Sequence, residues 1–171
     1  GDHRDLPSFP TRRSSDLVMW PGFSDEICVA GKRFVLSVCR DTVVDGVNAP
    51  GRIAATLEAG AAARDRTGSP WLVLHHEPPE GTPICSGADG NRLLSGLVAR
   101  HEPDLVVCGH IHEAPFETYR GGSWYCRIGQ TLLVNAGQWP KRRWPCHLQI
   151  EGSAVTWRAP GHARASVAIR S

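Results

Sequence analysis

Long apolar runs are missing from this 171-residue chain. None approaches the ~20 residues that span a bilayer, which excludes a transmembrane helix and any membrane partner that needs one. The first residues also lack the apolar core of a secretory signal. Cysteine pairs at C-x-x-C spacing are missing too: the six cysteines, at 28, 39, 85, 108, 126 and 146, are scattered. Several fall in expected strands and read as free, mostly buried thiols of a reducing compartment, so the expected location is cytoplasmic; a disulfide framework is the alternative. Lysine is scarce, with Lys32 and Lys141 the two instances among 19 basic residues. Together with abundant Ala and Gly, that points to a GC-rich, bacterial genome. Charge of one sign is in no excess: the net charge is +2, so nothing global points to nucleic acid or a membrane surface.

What is present is ordinary for a soluble globular protein, with 41% hydrophobic and 21% charged residues, and long enough for one domain with a proper core. The opening stretch is the exception. "GDHRDLPSFPTRRSSDL", Gly1 to Leu17, has no helical or strand period. It matches the translation of a common short-read sequencing adapter at every position but Pro7, where one base change suffices. Residues 1–17 are therefore read as adapter-derived and disordered, and are set aside from fold reasoning. Residues 18–158 are expected to form a partial domain and residues 159–171 a flexible tail.

Within that domain, Glu26–Ala30 and Arg33–Cys39 read as a hairpin turning at Gly31-Lys32. Asp41–Ala49 reads as a loop. Pro50 can open a helix that runs through Arg52–Arg66, with Ile53 and Leu57 on one face. Trp71–Leu74 and Leu105–Cys108 are continuous apolar runs, each a buried strand. Between them lie the Pro/Gly-rich loop His75–Gly87 and a second helix, capped by Asp89 and carrying Leu93, Leu94, Leu97 and Val98, that stops before Pro103. Trp124–Ile128, Thr131–Asn135, Cys146–Ile150 and Ala154–Arg158 read as further strands, the last pair joined at Gly152. Buried strands alternating with helices, followed by antiparallel strands, predict an α/β fold.

The chemistry gathers at two strand ends. His75 and His76 follow Trp71–Leu74, and His110 and His112 follow Leu105–Cys108 in "CGHIHEAP". If the two strands are parallel neighbours, all four imidazoles reach one edge of the sheet, where open α/β sheets bind ligands. In an extended segment, His110 and His112 project to one side while Ile111 turns into the core, and Gly109 permits close backbone approach. Neutral imidazoles so placed suit a metal. His75, last in its strand, faces either the core or the site. His3, His101, His147 and His162 lack such pairing and read as solvated or hydrogen-bonded loop residues.

"LVLHHEPPEG…LLSGLVARHEPDLVVCGHIHEAP…IGQTLLVNAG" resembles the calcineurin-like metallophosphoesterases, over about Trp71 to Gly137. The G-H-x-H after an apolar strand and the upstream H-x-P-P carry the resemblance. It implies two β-sheets sandwiched between helices, an αββα arrangement, with a two-metal site at one edge. It also implies that His76 and His110 are ligands of one metal and His112 of the other. His75, Glu77, Glu113 and Asn135 are implied as further ligands or as partners of the ligands' second ring nitrogens, although Asn135 also reads as an ordinary turn residue. The implied cofactors are two divalent ions (Mn, Fe or Zn) about 4 Å apart. They serve in-line hydrolysis of a phosphate monoester or diester in a small molecule or nucleotide.

The family's D-x-H, G-D-x-x-D and G-N-H patterns precede the first histidine pair, and Val18–Leu74 contains none of them. Asp25, Asp41 and Asp45 have the wrong neighbours, and Asp104 lies at the wrong end of its strand. The chain is thus expected to carry the C-terminal half of such a domain and to be inactive alone, with no catalytic acid or base assignable. Two other readings are a non-catalytic scaffold of the same fold and a mononuclear His-ligated hydrolase. "KRRW", Lys141–Trp144, is the one hint of nucleic acid and reads more simply as a solvated loop.

Overall fold

The computed structural model describes residues 22–29, 31–39, 43–44, 47–48, 50–87, 90–139 and 144–170. Gly1–Leu17, Asp89 and Lys141–Arg143 lie outside the described residues. The hairpin is β1 (Phe23–Val29) and β2 (Lys32–Val38). Two short strands, β3 (Val43–Val44) and β4 (Val47–Asn48), pair with each other where a loop was expected. Helix α1 spans Pro50–Thr67, with proline at its first position, where a missing N–H costs nothing.

Strand β5 (Trp71–Leu74), helix α2 (Arg92–His101) and strand β6 (Leu105–Cys108) follow. The cap of α2 is Asn91, not the expected Asp89: its side chain accepts from Leu94 N at 2.9 Å. β7 (Tyr125–Ile128) and β8 (Thr131–Asn135) come next, then the two-residue pair β9 (Gln138–Trp139) and β10 (Trp144–Pro145). β11 (His147–Glu151), β12 (Ala154–Arg158) and β13 (Ala165–Ala168) complete the described chain.

The main sheet has the order β1-β2-β5-β6-β8-β7. Its four central strands are mutually parallel, and β1 and β7 pair antiparallel at the edges. Strand alternation then sorts the core into two layers. Trp71, Val73, Val106, Cys108 and Leu133 face Ile53, Leu57, Leu94 and Val98 of the two helices. Leu72, Leu105, Val107, Leu132 and Val134 face Val155, Trp157, Leu148 and Val167 of the three-stranded sheet β11-β12-β13. The fold is α/β, with two sheets face to face. Among the described residues both helices cover the main sheet, and no helix covers the outer face of the smaller one. Gly60 lets α1 lie against the sheet, since a Cβ there would sit 2.4 Å from Ser37 Oγ and 2.5 Å from the Trp71 ring.

The segment expected as a flexible tail contains a paired strand. Residues 165–168 pair with β12, and Arg127 donates to the carbonyls of Ala168 and Ile169 at 2.6 and 2.9 Å. Arg170 pairs with buried Asp104, whose other oxygen accepts from Trp71 N at 2.7 Å. Alternate side chains of Ala165 and Val167 join the core layer between the two sheets, which the local sequence alone does not announce.

Candidate metal-ligand pair at the strand ends

β5 and β6 are parallel neighbours in register Leu72↔Leu105, Val73↔Val106 and Leu74↔Val107, joined through α2. The ladder continues past the formal strand ends. His75 N donates to Val107 O at 3.0 Å, and Gly109 N donates to His76 O at 2.9 Å. Backbone pairing therefore places residue 76 beside residue 109 and brings the two histidine segments to one edge of the sheet. His76 Nε2 and His110 Nδ1 lie 3.1 Å apart, with ring centroids separated by 5.0 Å and planes inclined at 73°. Both residues are solvent-exposed.

His110 is not extended. Its φ is +61°, and Ile111 N donates back to Gly109 O at 2.7 Å, closing a γ-turn around the histidine. A β-carbon disfavours this region, so the surroundings must hold it. Asn135, wholly buried at the end of β8, does so. Its Nδ2 donates to the carbonyls of Ile111 (2.8 Å) and Ile84 (3.2 Å), and its Oδ1 accepts from Gly137 N (3.0 Å). Gln138 N donates to His112 O at 2.9 Å, and a Cβ on Gly137 would meet that same oxygen at 2.7 Å. Asn135 thus shapes the site through the backbone next to His110.

Two expectations change here. Alternation is broken at His110, and among the described residues no group of three His, Cys, Asp or Glu side chains is placed to hold a metal. Ile111 is half-buried rather than buried. Gly109 is also less constrained than expected, since a Cβ there would meet His76 O at 3.8 Å, an ordinary contact.

His75 is buried, and its Nδ1 donates to Glu77 O at 2.7 Å. The Glu77 carboxylate accepts from Asn91 Nδ2 at 2.9 Å, which braces the strand end against the cap of α2. Glu113 is exposed. Free thiols follow at the neighbouring strand positions, buried at Cys39 and Cys108 and half-buried at Cys126. Burial pushes Cys39 up to about 12 and Cys126 up to about 11, and raises Cys108 as well. The raised pKa favours the neutral thiol, and free, mostly buried cysteines are what the sequence predicts. Sequence reasoning passed over Ser86, Glu117 and Arg120, which line a cleft of about 310 Å³ beside His110 with Cys85, Ile111 and Glu113. None of the three belongs to a recognisable motif.

No family model matches the chain, and no curated protein matches it. Among solved structures it is similar to the crystal structure of TT1561 of Thermus thermophilus. The identity is 12% and the TM-score 0.44, over 85% of this chain and 57% of that chain. Among the described residues no helix is long and apolar enough to cross a membrane.

Proposed function

We propose that the chain carries part of the centre of a metal-dependent phosphoesterase, with His76 and His110 as neighbouring ligands of one divalent ion. The observation that carries the reading is the 3.1 Å separation of His76 Nε2 and His110 Nδ1 at the C-terminal ends of adjacent parallel strands. Two nitrogens bound at ~2.1 Å and subtending 90–109° at one ion lie about 3.0–3.4 Å apart. The pair therefore fits half of one coordination sphere. The described residues do not complete that sphere or supply a second one, and neutral imidazoles bring no negative charge to offset the ions.

When bound, divalent ions neutralise phosphoryl oxygens and lower the pKa of the attacking water. The chain's own contribution is positional. The β5–β6 ladder sets the backbone of both histidines, the γ-turn aims the His110 ring at His76, and Asn135 holds the turn. The resemblance of "HHEPPEG" and "CGHIHEAP" to metallophosphoesterase motifs supports a phosphate monoester or diester, in a small molecule or nucleotide, as substrate. His112, exposed on the same loop, is available to a second ion.

The test compares two proteins with p-nitrophenyl phosphate and bis-p-nitrophenyl phosphate, in Mn, Zn or Fe. The 171-residue chain should show no turnover. The product of the natural gene should turn over at least one substrate, and His110→Ala should abolish that turnover. Silence from the metal-loaded natural protein would favour a scaffold. One observation favours a single-ion site instead: two imidazoles converge and no third ligand joins them among the described residues. Metal stoichiometry of the natural protein, one ion or two, separates these readings.

A further inference from the structure

The cleft beside His110 is lined by three segments, and one of them turns at a strained residue. Among the described residues three non-glycine residues have positive φ: Ser86 (+51°), Glu102 (+45°) and His110 (+61°). Glu102 caps the C-terminus of α2, where that conformation is routine. Ser86 likewise caps the turn Pro83–Cys85, so His110 is the one of the three that stands outside a helix cap; Ser86 and His110 both line this cleft. Strain held in place by the surrounding structure is a mark of functional sites.

The wall is also fixed by bonds. Ser86, 7% exposed, donates through Oγ to Glu117 Oε2 at 2.7 Å, and Arg120 Nη1 lies 3.6 Å from Glu117 Oε1. Ser123 N donates to Pro83 O at 3.1 Å, joining the loop after Arg120 to the loop before Ser86. A Cβ on Gly122 would lie 2.4 Å from Ala114 O and 2.9 Å from Ser86 Oγ, so these loops pack too closely to shift independently.

We infer that this cleft receives the leaving group of the phosphoester, and that it selects a neutral, hydroxyl-bearing alcohol such as a sugar or ribose. The inference rests on the metal reading of His76 and His110 for the position of the phosphoryl group. The choice of class follows from the lining. The lining holds two carboxylates, Glu113 and Glu117, and one guanidinium, Arg120, which Glu117 already engages. An anionic leaving group would meet net negative charge. An aryl or alkyl group would strip water from Arg120 and Glu113 and return no hydrogen bond. Vicinal hydroxyls can accept from Arg120 and donate to Glu113 together.

The test is amide NMR of the full chain, with ribose, benzyl alcohol and inorganic phosphate as probes. Ribose should shift the signals of Ser86, Glu117 and Arg120 and saturate in the millimolar range, and the other two probes should leave them unmoved. Glu113→Gln and Arg120→Gln should each weaken ribose about 5-fold, because glutamine can still hydrogen-bond but loses the assistance of charge. Benzyl alcohol or phosphate binding as well as ribose would overturn the inference, as would no response to ribose. Zinc is titrated separately, following the His76 and His110 imidazole signals. A zinc response without a ribose response overturns the cleft assignment alone. A ribose response without a zinc response keeps the cleft and removes the metal reading.

Discussion

Asn135→Ala tests how the fold holds the candidate site. The side chain is wholly buried and makes three hydrogen bonds: to the Ile84 and Ile111 carbonyls and from Gly137 N. Each neutral bond contributes about 1 kcal/mol, and a buried group left unmet costs at least as much. Alanine leaves a gap too enclosed for easy solvation, so the loss should be about 3 kcal/mol. For a domain of this size that corresponds to a fall in Tm of about 6–12 °C. The same substitution frees the Ile111 carbonyl, so the γ-turn at His110 should relax. Zinc affinity should then drop about 10-fold or more even where the variant is fully folded. The assays are urea unfolding and zinc titration below the transition. A stability loss under about 0.5 kcal/mol with unchanged zinc affinity would refute the claim that Asn135 holds the turn.

Gly60→Ala should destabilise by about 1–3 kcal/mol, because its Cβ meets the Trp71 ring at 2.5 Å. Gly109→Ala, with nothing nearer than 3.8 Å, should leave Tm within a degree or two; equal effects in thermal melts would contradict the packing described. Ending the chain after Arg164 removes β13 and the Arg170–Asp104 pair and leaves a buried carboxylate with the Trp71 amide. A drop of several degrees in Tm is expected, and no change would restore the picture of a frayed tail. For the thiols the sign runs one way. Burial raises Cys39 and Cys126, so their stabilising contribution is full below pH 9.0, where an ordinary thiol ionises, and is lost as pH rises through about 11 to 12. Unfolding free energy should fall over that window, less so in Cys39→Ser and Cys126→Ser relative to their own values at about pH 8. At that starting pH, exposed Cys28 should alkylate well before the buried thiols.

The central strands were legible because Trp71–Leu74 and Leu105–Cys108 are unbroken apolar runs bounded by Pro, Gly or His, buried on both faces as parallel strands are. The His76–His110 pairing follows from that, since neighbouring parallel strands must end at one edge. The turn at His110 was not legible. Left-handed backbone is signalled by glycine, and here a histidine adopts it while the preceding Gly109 does not. An i, i+2 argument consequently placed His112 beside His110. The tail strand was missed because Ala165, Ser166 and Ala168 have weak strand preference, and its pairing with β12 and its bonds to Arg127 are tertiary. The cap at Asn91 was missed for a smaller reason: Asp89 is an equally good cap type two residues earlier, and only the helix start decides between them.

The most direct test of the account is zinc titration by calorimetry of the full chain beside His76→Ala, His110→Ala and His147→Ala. The two site residues should be jointly required. The unsubstituted chain and His147→Ala should bind one ion alike, and His76→Ala and His110→Ala should each lose at least about 100-fold in affinity, with one ligand of the pair gone. Zinc binding that survives both single substitutions would contradict the assignment of His76 and His110 as neighbouring ligands of one metal.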